Sequence, residues 1–284
     1  MYYKFIIRNK QIMLRILFLI AFSFFLKYAT HNSYMPNDLL GAYQIYMGGI
    51  FLEESKSILQ IMLLLINAVL FIYYVPYEII KEIKENEIYI KYRYEKNSKI
   101  LMLIAIKNLF YSLFYQLVYV FIIMLMTFQF NPVFVIGTQF IKLFLTSTIQ
   151  LLIISFMSEF FLYCFKFEIG IVLSLMLVVS PAIITGVILD QFSSSLELCK
   201  YIPLNHGNYN YYHASTYTLQ SISITYSPLP YYRYLLSIVS QVIEVVISAA
   251  GLMCAIDRKE LIGGHYENLC KKYFKRNEIK YNLG

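Results

Sequence analysis

The sequence predicts an all-α, polytopic membrane helix bundle, and three observations carry that prediction. Six apolar stretches are each long enough for a spanning helix, which needs about 20 predominantly apolar residues. The 284 residues are 59% hydrophobic and only 14% charged, with a mean hydropathy of +0.58, far from an ordinary soluble domain. The basic residues behind the net charge of +7 gather at the ends of the stretches on one side.

The chain reads as a single transmembrane domain over 1–284. Residues 1–12 are expected to form an amphipathic, interfacial elbow helix: Lys4, Arg8, Gln11 and Arg15 recur at helical spacing, with Phe5, Ile12, Met13 and Ile16 opposite. A merely basic flank is the alternative, and both keep the segment cytoplasmic. The six-span bundle covers 13–256, with spans at Met13 to Ala29, Ser57 to Tyr77, Ile100 to Phe128, Val133 to Phe161, Ile169 to Leu189 and Tyr232 to Ile256. The first carries Arg15 and Lys27, which can snorkel; without it, five spans would place the termini on opposite sides. It also serves as the expected uncleaved insertion signal, because no small-residue cleavage site follows it. Outer loops fall at 30–56 and 191–231, a cytoplasmic loop at 78–99 and a basic cytoplasmic tail at 257–284.

Charge sets the orientation. Lys4, Arg8, Lys10 and Arg15, six basic residues in 78–99, Lys166, and seven in the tail share one face; the other holds Lys27, Lys56, Lys200 and Arg233. Both termini are therefore expected in the cytoplasm. Such charges hug the span ends without any nucleic-acid motif, which excludes nucleic acid as the partner. Of the cysteines only Cys199 falls outside, so no disulfide within the chain is expected. Twenty-eight Tyr, no Trp and an excess of Lys over Arg fit a bacterium with an A/T-rich genome, hence a bacterial cytoplasmic membrane.

The loop 78–99 has no Gly or Pro and offers the pairs Lys81/Glu85, Glu87/Lys91 and Glu95/Lys99, so a helix solvated on one side is expected. Within it Glu85 is followed by Ser98-Lys99 and then by Lys107 inside the next span. Ser98 is placed to cap that span. These residues and intervals resemble the second-to-third-span loop of type-2 ABC exporter permeases, which often reads Glu-Arg-Gly-Thr, then Ser-Arg, then a Lys. The chain departs from it at Glu87-Ile88, where the family often has Gly-Thr.

The resemblance implies a coupling helix, with Glu85, Ser98, Lys99 and Lys107 as its ATPase-coupling residues. It also implies a dimer of permeases, homo- or heterodimeric, served by two separate ATPase subunits that hold ATP and Mg. This chain has no phosphate loop and no cofactor of its own, and Leu261-Ile262-Gly263-Gly264-His265 reads as a flexible turn. The implied cargo is an antimicrobial or other amphipathic peptide, with drug efflux and polysaccharide or lipid export as alternatives.

Ionisable residues in lipid are functional candidates. Lys142 and Glu159 lie at opposite ends of the fourth stretch, about 25 Å apart, where snorkelling or pairing with a neighbouring span is favoured over a transport role. Glu244 shares a stripe with Ser237, Gln241 and Ser248 that should avoid lipid. It lines a substrate path or hydrogen-bonds across the bundle or dimer interface, and both readings stay open. Gln60 and Asn67 read as helix glue, Pro181 as a kink, and the tyrosines of 205–234 as an interfacial belt.

Other classes fare worse. Glu53-Glu54 lacks the Arg that a membrane-protease pattern would place at Ile58, all four His lie in loops or tail, and no metal-binding motif occurs, so no catalytic residue is expected. An ion-coupled secondary transporter would use Lys142, Glu159 and Glu244, though no internal repeat is evident. A membrane immunity protein is the other alternative.

Overall fold

The computed structural model describes residues 13–15, 17–18, 20–22, 58–85, 97–128, 137–191, 198–199, 201–202, 204–207, 215–219, 222–226 and 234–281. Helix α1 lies within Met13–Phe22. It is followed by α2 (Ile58–Tyr74), α3 (Pro76–Glu85), α4 (Asn97–Phe128), α5 (Thr138–Cys164), α6 (Phe167–Gln191) and α7 (Tyr234–Tyr281). Between α6 and α7 come a 3-10 turn, Asn205–Gly207, and an antiparallel hairpin of β1 (Ser215–Leu219) and β2 (Ile222–Tyr226), which pairs Leu219 with Ile222 at its closed end. This hairpin adds to an otherwise helical fold; both its strands are rich in β-branched and aromatic residues, as strands prefer. The elbow segment 1–12 and the outer loop 30–56 lie outside the described residues.

Among the described residues, four helical stretches are long and apolar enough to cross a membrane: Asn97–Ile122, Thr138–Cys164, Phe167–Ile188 and Tyr234–Arg258. Their burial pattern is the reverse of a soluble protein's. On α4, Met102, Leu117 and Phe121 are 64%, 58% and 60% exposed while Asn108, Ser112 and Gln116 are fully buried. On α7, Leu235, Leu236, Val246 and Ile247 face outward while Ser237 and Gln241 are buried. Apolar side chains turned out and polar ones turned in match a bundle whose surrounding solvent is hydrocarbon. The chain is a multi-pass membrane protein.

Helix α5 is the hub. It packs against α7, α6, α3 and α4, while α2 packs mainly on α6. The α5–α6 connection is tight: Phe165 caps α5 through its N–H to the Phe161 carbonyl, and a Cβ on Gly170 would stand 3.0 Å from the Leu162 Cα. Only glycine fits that approach without a shift. In α6, Pro181 removes the N–H that would bond the Leu177 carbonyl, and the Ser180 hydroxyl reaches that carbonyl instead at 3.4 Å.

Several boundaries differ from those expected. The second span ends at Tyr74, and Pro76 opens α3 at the first helical position, where a missing N–H costs nothing. The fourth begins at Thr138, after Gly137, rather than at Val133. Ser98 is not a cap, because α4 already begins at Asn97. The Gly263-Gly264 turn is also corrected: α7 runs through both glycines to Tyr281. Two glycines weaken a helix by about 1 kcal/mol each, which this long run of mostly good helix formers tolerates.

Candidate functional site: an ionic clamp and a buried polar seam

Helix α3 packs on the bundle with Pro76, Ile79, Ile80 and Ile83 buried. Its charged residues then tie it to three other helices. Arg15 Nη1 donates to Glu78 Oε1 at 2.6 Å, linking α1; Lys107 Nζ meets Glu82 Oε2 at 2.9 Å, linking α4; and Lys84 Nζ donates to the Leu162 carbonyl at 2.8 Å, linking α5. Lys107 and Glu82 side chains are only 11% and 16% exposed, so this pair is shielded enough to resist screening by salt.

The four residues expected to act in coupling separate into two groups. Glu85 is exposed at the end of α3, with Lys81 at 4.0 Å. Ser98 and Lys99 are exposed in the first turn of α4, beside Asn97, whose Nδ2 donates to Asp257 Oδ1 of α7 at 2.7 Å. Lys107 stands apart from these, buried against Glu82. Glu82 and Glu78 escaped the sequence reading, which paired charges only along the loop. Their signal was the amphipathic period starting at Pro76, which sets both carboxylates one turn apart. Glu87, Lys91 and Glu95 lie outside the described residues.

Glu159 has no solvent exposure at all. Its Oε2 accepts a hydrogen bond from Asn108 Nδ2 at 2.9 Å, and the Lys107 ammonium acts on it electrostatically. Glu159 Oε1, Asn108 Oδ1, Ser112 Oγ and Ser155 Oγ are buried with no hydrogen-bond partner among the described residues. The neighbouring-span partner expected for Glu159 is thus an amide, and the site extends along two helices.

Nearer the opposite end of the bundle, a second polar group gathers on the stripe of α7. Ser237, Gln241 and Ser248 are buried. Gln241 Nε2 donates to the Thr146 carbonyl at 3.2 Å, and the Ser248 hydroxyl to the Glu244 carbonyl at 2.6 Å. The Glu244 carboxylate accepts the Leu204 N–H, with Oε2 at 3.2 Å, while Gln150 Nε2 donates to the Leu204 carbonyl at 3.3 Å. Asn205 Nδ2 donates to Thr185 Oγ1 at 2.8 Å and to the Cys199 carbonyl at 3.0 Å.

Leu204 sits at φ 67, a left-handed conformation unusual for a branched side chain. Glu244 and Gln150 lie about 15 and 18 Å along α7 and α5 from their starts, so this turn enters the bundle. Irregular backbone is tolerated at such depth only when its polar groups are satisfied by protein. Here the Glu244 carboxylate does so, its bond going to the turn that precedes α7. Lys142 Nζ lies 5.2 Å from the Tyr234 ring centre, a cation–π contact between α5 and α7.

Among the described residues no group of three His, Cys, Asp or Glu is placed to hold a metal ion. Cys164 and Cys254 are exposed, Cys199 is buried, and all three are free thiols. The side chains of Gln60 and Asn67, and the tyrosines 209, 211, 212, 231 and 232, lie outside the described residues. No known protein family, curated protein or solved structure matches this chain.

Proposed function

We propose that this chain is the permease subunit of an ATP-driven exporter in a bacterial cytoplasmic membrane. The reading has α1 and α2 supplying the two remaining spans, for six in all, with both termini in the cytoplasm. It works as a pair of permeases with two separate ATPase subunits that bind ATP and Mg, and it moves an amphipathic or hydrophobic substrate, for which a peptide is the best candidate. The chain performs transport and leaves hydrolysis to its partner.

The observation that carries this reading is the clamping of α3. A ten-residue amphipathic helix is tied by ionic bonds to α1 and α4 and by Lys84 to α5. A push on it is therefore delivered to three helices at once. Its exposed end, at Glu85, offers charge for a partner to hold. The spacing from Glu85 through Ser98-Lys99 to Lys107 supports the same reading.

Charge reversal at exposed positions, Glu85→Arg and Lys99→Glu, tests it. Exposed substitutions away from special contacts change stability by about 0.5 kcal/mol or less, so both variants should insert and accumulate normally. The expected result is weaker association with the ATPase and slower coupled ATP hydrolysis. Full hydrolysis and association in both variants would overturn the coupling assignment.

A further inference from the structure

Hydroxyls within a membrane helix ordinarily satisfy themselves by bonding back to the carbonyl one turn earlier. Thr146, Ser147, Thr148, Ser174 and Ser248 all do so here. Ser112 and Ser155 do not, and each is fully buried. They stand one turn from Asn108 and Glu159 respectively, and α4 and α5 pack on each other. A short connection makes the two helices antiparallel neighbours. The register that joins Asn108 to Glu159 therefore sets Ser112 opposite Ser155, about 6 Å further into the bundle.

In these four residues the atoms without a hydrogen-bond partner, Glu159 Oε1, Asn108 Oδ1, Ser112 Oγ and Ser155 Oγ, are oxygens. They comprise one carboxylate, one amide carbonyl and two hydroxyls. Leaving them unsatisfied is costly, and burying the carboxylate charge uncompensated costs more. Lys107 acts on Glu159 electrostatically, but its contact is with Glu82 and it donates to none of the four oxygens. With Glu159 ionised, one negative charge stands on the seam. A proton on Glu159 would satisfy one oxygen and leave the others without a guest; a cation seated between the helices would meet the charge and the oxygens together. A single carboxylate with neutral oxygens suits a hard ion of charge +1, since divalent ions favour more carboxylates or retained water.

We infer that the α4–α5 seam of Asn108, Ser112, Ser155 and Glu159 is a binding site for a monovalent alkali cation. It lies beside the clamp: Lys107 of the Lys107–Glu82 pair is the residue next to Asn108 in α4. Occupancy of the seam gives the bundle an energetic input independent of nucleotide. This inference does not rest on the transport reading, and either can fail alone.

The test is thermal unfolding of the full chain in mild detergent, followed by far-UV circular dichroism. Sodium chloride and potassium chloride are titrated against choline chloride at constant ionic strength and pH. A cation that binds only the folded chain raises the melting temperature saturably, and whichever salt does so identifies the ion. Glu159→Gln should raise the half-saturating concentration about tenfold or more. Should that variant fail to fold, Ser112→Ala and Ser155→Ala, which remove only buried hydroxyls, should each weaken the same rise. Glu244→Gln should keep it in full. Identical melting in all three salts would overturn the site and leave water as its occupant. A rise undiminished in the seam variants would overturn it too.

Discussion

At Gly207 a single hydrogen atom decides how the buried turn meets α5. A Cβ there would overlap the amide end of Gln150, the group that donates to the Leu204 carbonyl. Gly207→Ala should therefore displace Gln150 and leave that carbonyl unpaired, at a cost of about 1–3 kcal/mol, read as a lower melting temperature. An unchanged melt would mean that the turn is not held against α5. Cys199, in the same region, is fully buried. Burial pushes its thiol above the ordinary range, and a hydrogen bond with Thr185 works in the opposite direction. Because the thiolate is the nucleophile, native Cys199 should react with a maleimide at pH 7 about tenfold or more slowly than in the denatured chain. The difference should shrink as pH rises past its raised value. Equal rates in the two states would contradict its burial. Residues of this kind were hard to read in advance: Leu204, Asn205 and Gly207 carry no periodic signal, and their roles come from contacts with three helices distant in the chain.

Among the elements, α3 shows how far pattern reading extends. Its helicity followed from a run without Gly or Pro, and Lys81/Glu85 is present as expected. Its docking did not follow, because isoleucines at 79, 80 and 83 mark a buried face without naming what covers it. The Glu82–Lys107 contact fixes that partner. Removing one member strips a largely buried charge of this partner, so Glu82→Ala and Lys107→Ala should each destabilise by about 3 kcal/mol. A double-mutant cycle should return about 1–3 kcal/mol of coupling, and the exchange Glu82→Lys with Lys107→Glu should recover part of the loss. Additive effects would show that α3 is not clamped there. On α7, by contrast, the stripe of Ser237, Gln241, Glu244 and Ser248 was legible from its spacing alone, since in lipid a polar stripe can only turn inward. What spacing lacked was the far side of each bond, which lies on Thr146 and Leu204.

Over the whole molecule, polar groups run along α5 from Glu159 and Ser155 near one end to Thr146 and Gln150 nearer the other. The outer surfaces of α4 to α7 are apolar. Composition and the apolar stretches were enough to reveal this membrane architecture, whereas the choice of α5 as its hub depended on packing that no single stretch encodes. In the proposed function the chain converts a partner's ATP hydrolysis into movement of its spans through α3. Extraction of the intact chain in mild detergent, with mass spectrometry and an ATP hydrolysis assay on what co-purifies, tests that claim most directly. The expected result is a phosphate-loop ATPase in about equal amount, whose hydrolysis falls when Glu85 and Lys99 are reversed in charge. A folded chain that purifies without any ATPase and remains active in its membrane would contradict it.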